Sequence, residues 1–335
     1  MVKRTVDDFV GKRGLIDPQR LKALSAKSDV KGGVQMATHL GAICATGVLL
    51  WQTWGTYWAI PVFILHGVLL NFLYAAQHEL SHNTVFQTRW LNEWFGRIVG
   101  FIELYPRDFD QIQHFAHHRH TQDWEMDGEL ARGPFTLGSY LLWMSGIVYW
   151  QTRIARILRF TRGTVVEPYI REKEHATVIF EGRVHFLLYC AIAVASVVFE
   201  SWAAVIFWLA PMMLTKCVHQ LQNSSEHLGL SHNPNTLENT RTLRTNAFMR
   251  WMAWNMQYHT AHHTFPSVPF HLLPELHKDI VEKWGREPYS MTYFGFQAQA
   301  IRRLMNGRTE MDYPMDQVWI ADGLPDELPA DTQHA

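Results

Sequence analysis

Asn255-Met-Gln-Tyr-His259-Thr-Ala-His262-His263-Thr-Phe-Pro266 is the stretch from which the rest of the chain is read. Residues three and four apart share one face of a helix, so this HxxHH spacing lets His259, His262 and His263 present their imidazoles to one small volume. The same spacing recurs at His114, His117 and His118, and an HxxxH pair stands at His78 and His82. A lone histidine is ordinarily a surface or hydrogen-bonded residue. Two HxxHH runs and an HxxxH pair, in a chain holding 19 histidines in 335 residues, point instead to a shared metal site.

The other metal-binding chemistries are poorly supplied. Cys44, Cys190 and Cys217 form no CxxC pair, are odd in number and sit in apolar segments, so neither a disulfide framework nor a thiolate site follows. Ligation falls to imidazole nitrogen, which suits zinc, copper or iron. With 30 basic and 31 acidic residues there is no overall field to recruit nucleic acid.

A mean hydropathy of −0.13 hides a sharp segregation along the chain. From Gly32 to His78 there is no Asp, Glu, Lys or Arg. That run suits two membrane crossings of about 20 residues each. Spans are expected at about 34–54 and 58–77, with Gly55-Thr56-Tyr57-Trp58 and Pro61 making the turn. A second apolar block, Val184 to Val218, is interrupted only by Glu200 and Lys216 and reads as another hairpin, with spans at 184–199 and 201–218. Residues 133–152 are also uncharged, but a fifth crossing would place the histidines on opposite faces of the bilayer. With its Tyr and Trp residues and the following Arg153, Arg156, Arg159 and Arg162, this segment is expected in the interface.

Basic residues set the orientation. Lys3, Arg4, Lys12, Arg13, Arg20, Lys22, Lys27 and Lys31 precede the first span, and neither hairpin tip carries any, so both termini and the metal site are expected on the cytoplasmic side of the cell membrane. The fold class is then all-α: an integral membrane protein with four transmembrane helices as two hairpins and a cytoplasmic helical cap carrying the metal site. Residues 32–278 form that domain, flanked by cytoplasmic segments 1–31 and 279–335. The Pro and acidic content after about Asp312 reads as poorly ordered.

His78-Glu-Leu-Ser-His82 also spells HExxH, in which two histidines bind zinc and the Glu is the general base of a protease. That reading leaves both HxxHH runs with nothing to do. Near the second run stand Glu125, Asp127 and Glu129; metal-bound imidazoles donate their other N–H to such groups, and Asp127 is the candidate to orient a ligand. Asn223 and His227 lie one helical turn apart beyond the last span, where Asn223 could hold a metal-bound water. His120 breaks the one-face spacing and reads as an outer or surface residue rather than a ligand, and His219 and His232 lack a matching partner. A metal transporter would call for histidines within the spans, and His39, His66 and His185 share no motif.

HxxxH, then HxxHH, then a later HxxHH, laid around apolar hairpins from about Gly32 to Lys278, resembles the membrane fatty acid desaturase and hydroxylase superfamily. The segments Gln77–His82 and Asn223–Gly229 are similar to its alkane-hydroxylase branch, and Tyr258–Pro269 to bacterial desaturase-like oxygenases. The resemblance implies a di-iron centre, with O2 as co-substrate and nine iron ligands: His78, His82, His114, His117, His118, His227, His259, His262 and His263. Asn223 matches a position that contacts one iron through water. No HPGG segment of a fused cytochrome b5 is present, so a separate electron donor is expected: a ferredoxin, a rubredoxin or a cytochrome b5 with its reductase. The expected activity is desaturation of a fatty acyl or related lipid chain, with C–H hydroxylation of an apolar substrate as the alternative. Such a substrate would reach the site from the bilayer.

Overall fold

The computed structural model describes residues 14–130 and 132–325. Its helices are, in order, α1 (Pro18–Leu24), α2 (Asp29–Thr53), α3 (Ala59–Asn71), α4 (Leu73–Ser81), α5 (Arg89–Ile102), α6 (Arg107–His120), α7 (Leu137–Met144), α8 (Ile147–Thr161), α9 (Glu172–Val198), α10 (Ala210–His227), α11 (Ala247–Met252), α12 (His259–Thr264), α13 (Leu273–Trp284) and α14 (Tyr293–Leu304). Two short strands, β1 (Thr242–Leu243) and β2 (Ser290–Met291), pair in parallel with Thr242 opposite Ser290. The chain divides into two compact units. Among the described residues, one comprises 28–112 and 143–220, the other 14–27, 113–142 and 221–325.

The first of these units holds the apolar helices. Three helical runs are long and apolar enough to cross a membrane: Asp29–Thr53, Ala59–Ser81 and Glu172–Val198. Ser28 caps α2 by accepting from the Lys31 N–H (3.2 Å). The second run is α3 and α4 in succession, meeting at Phe72. Polar side chains inside this unit are tied to backbone: His39 Nε2 donates to Leu69 O (3.0 Å), His66 Nε2 to Phe207 O (2.8 Å) and Asn71 Nδ2 to Met212 O (2.9 Å). His39 and His66 therefore serve helix packing in this unit. At Gly67 a Cβ would lie 2.4 Å from Pro211 O, so α3 and α10 approach closely only because glycine stands there.

Three expectations shift. The span placed at 184–199 is the C-terminal part of a helix that starts at Glu172, because its polar first half is held by tertiary contacts that hydropathy does not register. Glu181 accepts from the backbone N–H groups of Asp108 (2.9 Å) and Phe109 (3.2 Å), capping the first turn of α6 from another helix. The segment 201–218 opens with a π-helical turn at Val205–Leu209 and continues as α10 to His227. Residues 133–152 are broken between α7 and α8 at Gly146, whose φ of 81° stops a continuous helix.

In the other unit, Ile16 and Leu24 pack with Leu237, Val268, Leu273, Leu276 and Ile280. Arg20 pairs with Asp279 (2.6 Å) and Glu275 (3.1 Å), fastening α1 to α13. The expectation of poor order after Asp312 does not hold for residues 313–325. Tyr313 stacks on Trp319 with ring centroids 4.4 Å apart, both are buried, and the N–H groups of Trp319 and Ile320 donate to Gly229 O at 2.9 and 3.0 Å. Burial of two aromatic side chains outweighs a Pro-rich, acidic composition. The last ten residues of that tail, 326–335, and Lys3, Arg4, Lys12 and Arg13 lie outside the described residues.

Candidate metal centre

Seven of the nine histidines fall in the second unit, where they gather into two groups. The ligand nitrogens of His117, His227, His259 and His263 lie within 4.8 Å of one another, and so do those of His114, His118 and His262. Helical geometry explains the sorting. His114 and His118 are one turn apart on α6, as His259 and His263 are on α12, so each i,i+4 pair serves one group. The intervening His117 and His262 each cross to the other. His78 and His82 belong to the apolar unit, where α4 and its end set them one turn apart with ring centroids 5.6 Å from each other.

Short segments aim these rings. The chain enters α12 through Trp254 and Asn255, both with positive φ (52° and 59°), and Asn255 Nδ2 donates to Phe270 O (3.1 Å). Thr264 Oγ1 donates to Thr260 O (2.6 Å), and Pro266 follows. On α10, His227 is the last helical residue and Asn223, half-buried, stands one turn earlier.

The hydrogen bonds fix several tautomers. His117 Nδ1 donates to Asp127 Oδ1 (2.8 Å), His227 Nδ1 to Asn239 O (2.9 Å) and His114 Nδ1 to Glu129 Oε1 (3.3 Å). Carboxylate and carbonyl oxygens only accept, so each of these rings keeps its lone pair on Nε2. The Nε2 atoms of His227 and His114 face other imidazoles: His227 Nε2 is 2.8 Å from His259 Nε2, and His118 Nε2 is 3.0 Å from His114 Nε2 and 3.1 Å from His262 Nε2. Asp127 is itself held, its Oδ2 accepting the Gln122 N–H (2.8 Å) and its Oδ1 the Glu129 N–H (2.9 Å). Gln122 Nε2 in turn donates to His227 O (2.7 Å).

Electrostatics keeps four of these rings neutral. Burial, then the neighbouring His117, lowers His227 to about 4. Burial, with neighbouring imidazoles adding to it, holds His259, His262 and His263 well below the usual histidine range. Glu226 is fully buried with Oε1 3.8 Å from His259 Nδ1; burial raises it to about 8 although Gln222 Nε2 donates to it (3.1 Å). Burial works against the charged form of Glu129 too, but His117 and the hydrogen bond from His114 outweigh it and hold that carboxyl down at about 2.

This donor set fits a pair of transition-metal ions such as iron. Imidazole nitrogens converge in two groups, and the Nδ1 protons of His114, His117 and His227 are engaged by oxygen acceptors. Asp127 is where the sequence places a ligand-orienting carboxylate. Glu129, Glu226, Gln122 and Asn239 are not distinguished in the sequence; the one signal for Glu226 is its place between Gln222, one turn back, and His227. His219 and His232 stand apart from both groups: His232 stacks on Trp124 and bonds Gln122 O, and His219 lies in the apolar unit. In the HExxH spelling, Glu79 is fully buried and its Oε2 accepts from Thr84 Oγ1 (3.2 Å), so it is not poised as a protease base.

Comparison with known proteins agrees with the geometry. The fatty acid desaturase profile matches residues 52–295, and the chain belongs to that family. It is 22% identical over 288 residues to the sn-1 oleoyl-lipid 12-desaturase of a Picosynechococcus, covering 78% of each chain. It is 24% identical over 268 residues to the sphingolipid delta(4)-desaturase DES1 of Drosophila melanogaster, covering 76% of this chain and 75% of the relative. It is 27% identical over 251 residues to the sphingolipid delta(4)-desaturase/C4-monooxygenase DES2 of Rattus norvegicus, covering 71% of each. The protein is a membrane oxidoreductase of lipid desaturation or a related oxidation.

Proposed function

We propose that this chain is an O2-dependent di-iron enzyme that desaturates a fatty acyl or related lipid chain. The observation that carries the reading is the pair of nitrogen-only donor groups built from two HxxHH boxes that exchange one member each. His117, His227, His259 and His263 hold one iron. His114, His118 and His262 hold the other, with His78 and His82 assigned to it on the family resemblance. Asn223 reaches an iron through water, and Asp127 keeps His117 in the tautomer that ligation needs. In the full arrangement four spans form two hairpins in the cell membrane, with the termini and the metal site cytoplasmic.

The bound irons supply the oxidising power for an unactivated C–H bond, which no side chain can provide. Desaturation removes two hydrogens from adjacent carbons, takes up one O2, two electrons and two protons, and releases two waters. The electrons come from a separate donor such as a ferredoxin, a rubredoxin or a cytochrome b5 with its reductase. The chain's own residues hold neutral imidazoles in place and bury them, which excludes bulk water from the reacting carbon. Hydroxylation of an apolar substrate is the second reading, favoured by the relative that is both desaturase and C4-monooxygenase. Mass spectrometry of lipids and hydrocarbons from cells with and without the chain, supplied with O2 and a redox partner, separates the two. A new double bond supports desaturation and a new hydroxyl supports hydroxylation. No oxidised product in any lipid or hydrocarbon class would refute both.

A further inference from the structure

Gln122 ties together two ligand candidates of the same metal group. Just past the end of α6 the chain turns through Gln122 with a φ of 68°, a left-handed conformation that residues other than glycine adopt at a cost. The polar groups of this buried residue are spent in different directions. Its N–H donates to Asp127 Oδ2 (2.8 Å), on the carboxylate whose Oδ1 holds His117. Its side-chain nitrogen donates to His227 O (2.7 Å). Its carbonyl accepts from His232 Nδ1 (2.7 Å), which is the donor because a carbonyl only accepts. The rings of His117 and His227 meet edge to face with centroids 4.7 Å apart. One residue thus fixes the carboxylate that orients one ligand and the backbone that carries the other.

His232 is held in turn by the C-terminal segment. Its N–H donates to Met315 O (2.7 Å), and its ring stacks on Trp124 with centroids 5.6 Å apart. Residues 315–320 run alongside the 229–233 turn: Ser231 Oγ donates to Asp316 O (3.3 Å), and the Trp319 and Ile320 N–H groups to Gly229 O. Gly229 has a φ of 79°, and a Cβ there would lie 2.4 Å from Ile320 Cγ1, so the segment closes on the turn only because residue 229 is glycine. Residues 315–320 lie beyond the stretch 52–295 that the fatty acid desaturase profile matches. In the other histidine group, His114 takes its outer contact from Glu129.

We propose that Gln122 is a positioning residue for the metal held by His117, His227, His259 and His263, and that His232, braced by residues 315–320, keeps Gln122 in its left-handed turn. The hydrogen bond from His232 stabilises a backbone conformation that glutamine does not favour by itself. With that bond gone, the turn relaxes, and Asp127 and the His227 peptide lose their common anchor. His117 and His227 then drift apart, which weakens their shared metal site and leaves the His114, His118 and His262 group as it is. The C-terminal segment therefore governs the retention of one metal ion rather than of both. This inference rests on the di-iron reading above.

The test follows iron release to excess ferrozine from the full-length protein in phosphatidylcholine nanodiscs, loaded anaerobically with ferrous iron. Gln122→Met keeps the side-chain length without the donor, and His232→Ala removes the brace. In both, about half of the iron is expected to leave at least about tenfold faster than from the unaltered protein, with the remainder unchanged. His232→Asn is expected to restore slow release, because its amide nitrogen stands about where Nδ1 does. That rescue assigns the effect to the bond on Gln122, since asparagine does not replace the ring stacked on Trp124. All of the iron leaving faster together, no acceleration in either variant, or no rescue by asparagine overturns the proposal. Should Gln122→Met fail to fold, the two His232 variants decide alone. Iron bound at about two per chain with all variants alike removes this inference only, whereas no iron on the unaltered protein removes the di-iron reading and this inference with it.

Discussion

His227 and His259 bring their Nε2 atoms within 2.8 Å of each other, while the opposite nitrogen of His227 is committed to Asn239 O at 2.9 Å. With its proton held on Nδ1, His227 can only offer a lone pair toward His259. Two buried, neutral rings in that arrangement are stabilised by a cation bound alongside them. His227→Ala is therefore expected to lower iron from about two to about one per chain, because His114, His118 and His262 form a separate group. Elemental analysis, with circular dichroism to confirm retained helix, checks this. Unchanged iron content would remove His227 from the ligand set.

Asp127 acts through His117. Its carboxylate fixes the ring by a 2.8 Å hydrogen bond and is itself anchored by two backbone N–H groups. Outer partners of this kind typically contribute about 10–100-fold in metal affinity. Asp127→Asn is expected to lose iron faster to a chelator while keeping the same stoichiometry at saturation. An unaltered rate of loss would show that Asp127 serves the loop alone.

Much of this centre is legible in the sequence because the helical period converts HxxHH into a shared face. What the spacing does not reveal is that each box is divided, with His117 and His262 crossing over. That depends on how α6, α10 and α12 meet, which involves residues more than a hundred positions apart. Glu129 and Glu226 are not singled out by the sequence for a related reason. Glu129 sits in a run that looks like a solvated face, and Glu226 is one charged residue at the end of an apolar helix; only tertiary burial distinguishes them. Hydropathy located the apolar runs but began the third at residue 184, because the Glu172–Arg183 half of α9 is polar and is kept helical by contacts such as Glu181 on α6. Composition likewise misjudged residues 313–325, where Tyr313 and Trp319 supply burial that Pro and Asp content does not predict.

The Glu181 contact supports a stability prediction. Its carboxylate takes the Asp108 and Phe109 N–H groups at the start of the helix that carries three ligand candidates. Leaving buried donors unsatisfied costs about 1–3 kcal/mol. Glu181→Ala is expected to lower the thermal midpoint of detergent-solubilised protein, with Glu181→Gln intermediate because its amide oxygen still accepts. Equal midpoints for all three proteins would dismiss the cap.

Arg241 is a second such support. Fully buried, it donates to Ser225 O (2.6 Å), Leu228 O (3.1 Å) and Ile320 O (2.6 Å), binding the end of α10 to the C-terminal segment. Arg241→Leu is expected to destabilise by about 2–4 kcal/mol, since three carbonyls lose a charged donor. Proteolysis should then cut the chain between Asp312 and Ile320 first. A variant as protease-resistant as the unaltered protein would contradict the role assigned to this contact.

Iron content bears most directly on the central claim. Inductively coupled plasma mass spectrometry of the purified full-length protein, reconstituted anaerobically with ferrous iron and freed of loosely bound metal, should give about two irons per chain. One tightly bound zinc and no iron, after the same treatment with both metals offered, would contradict the account.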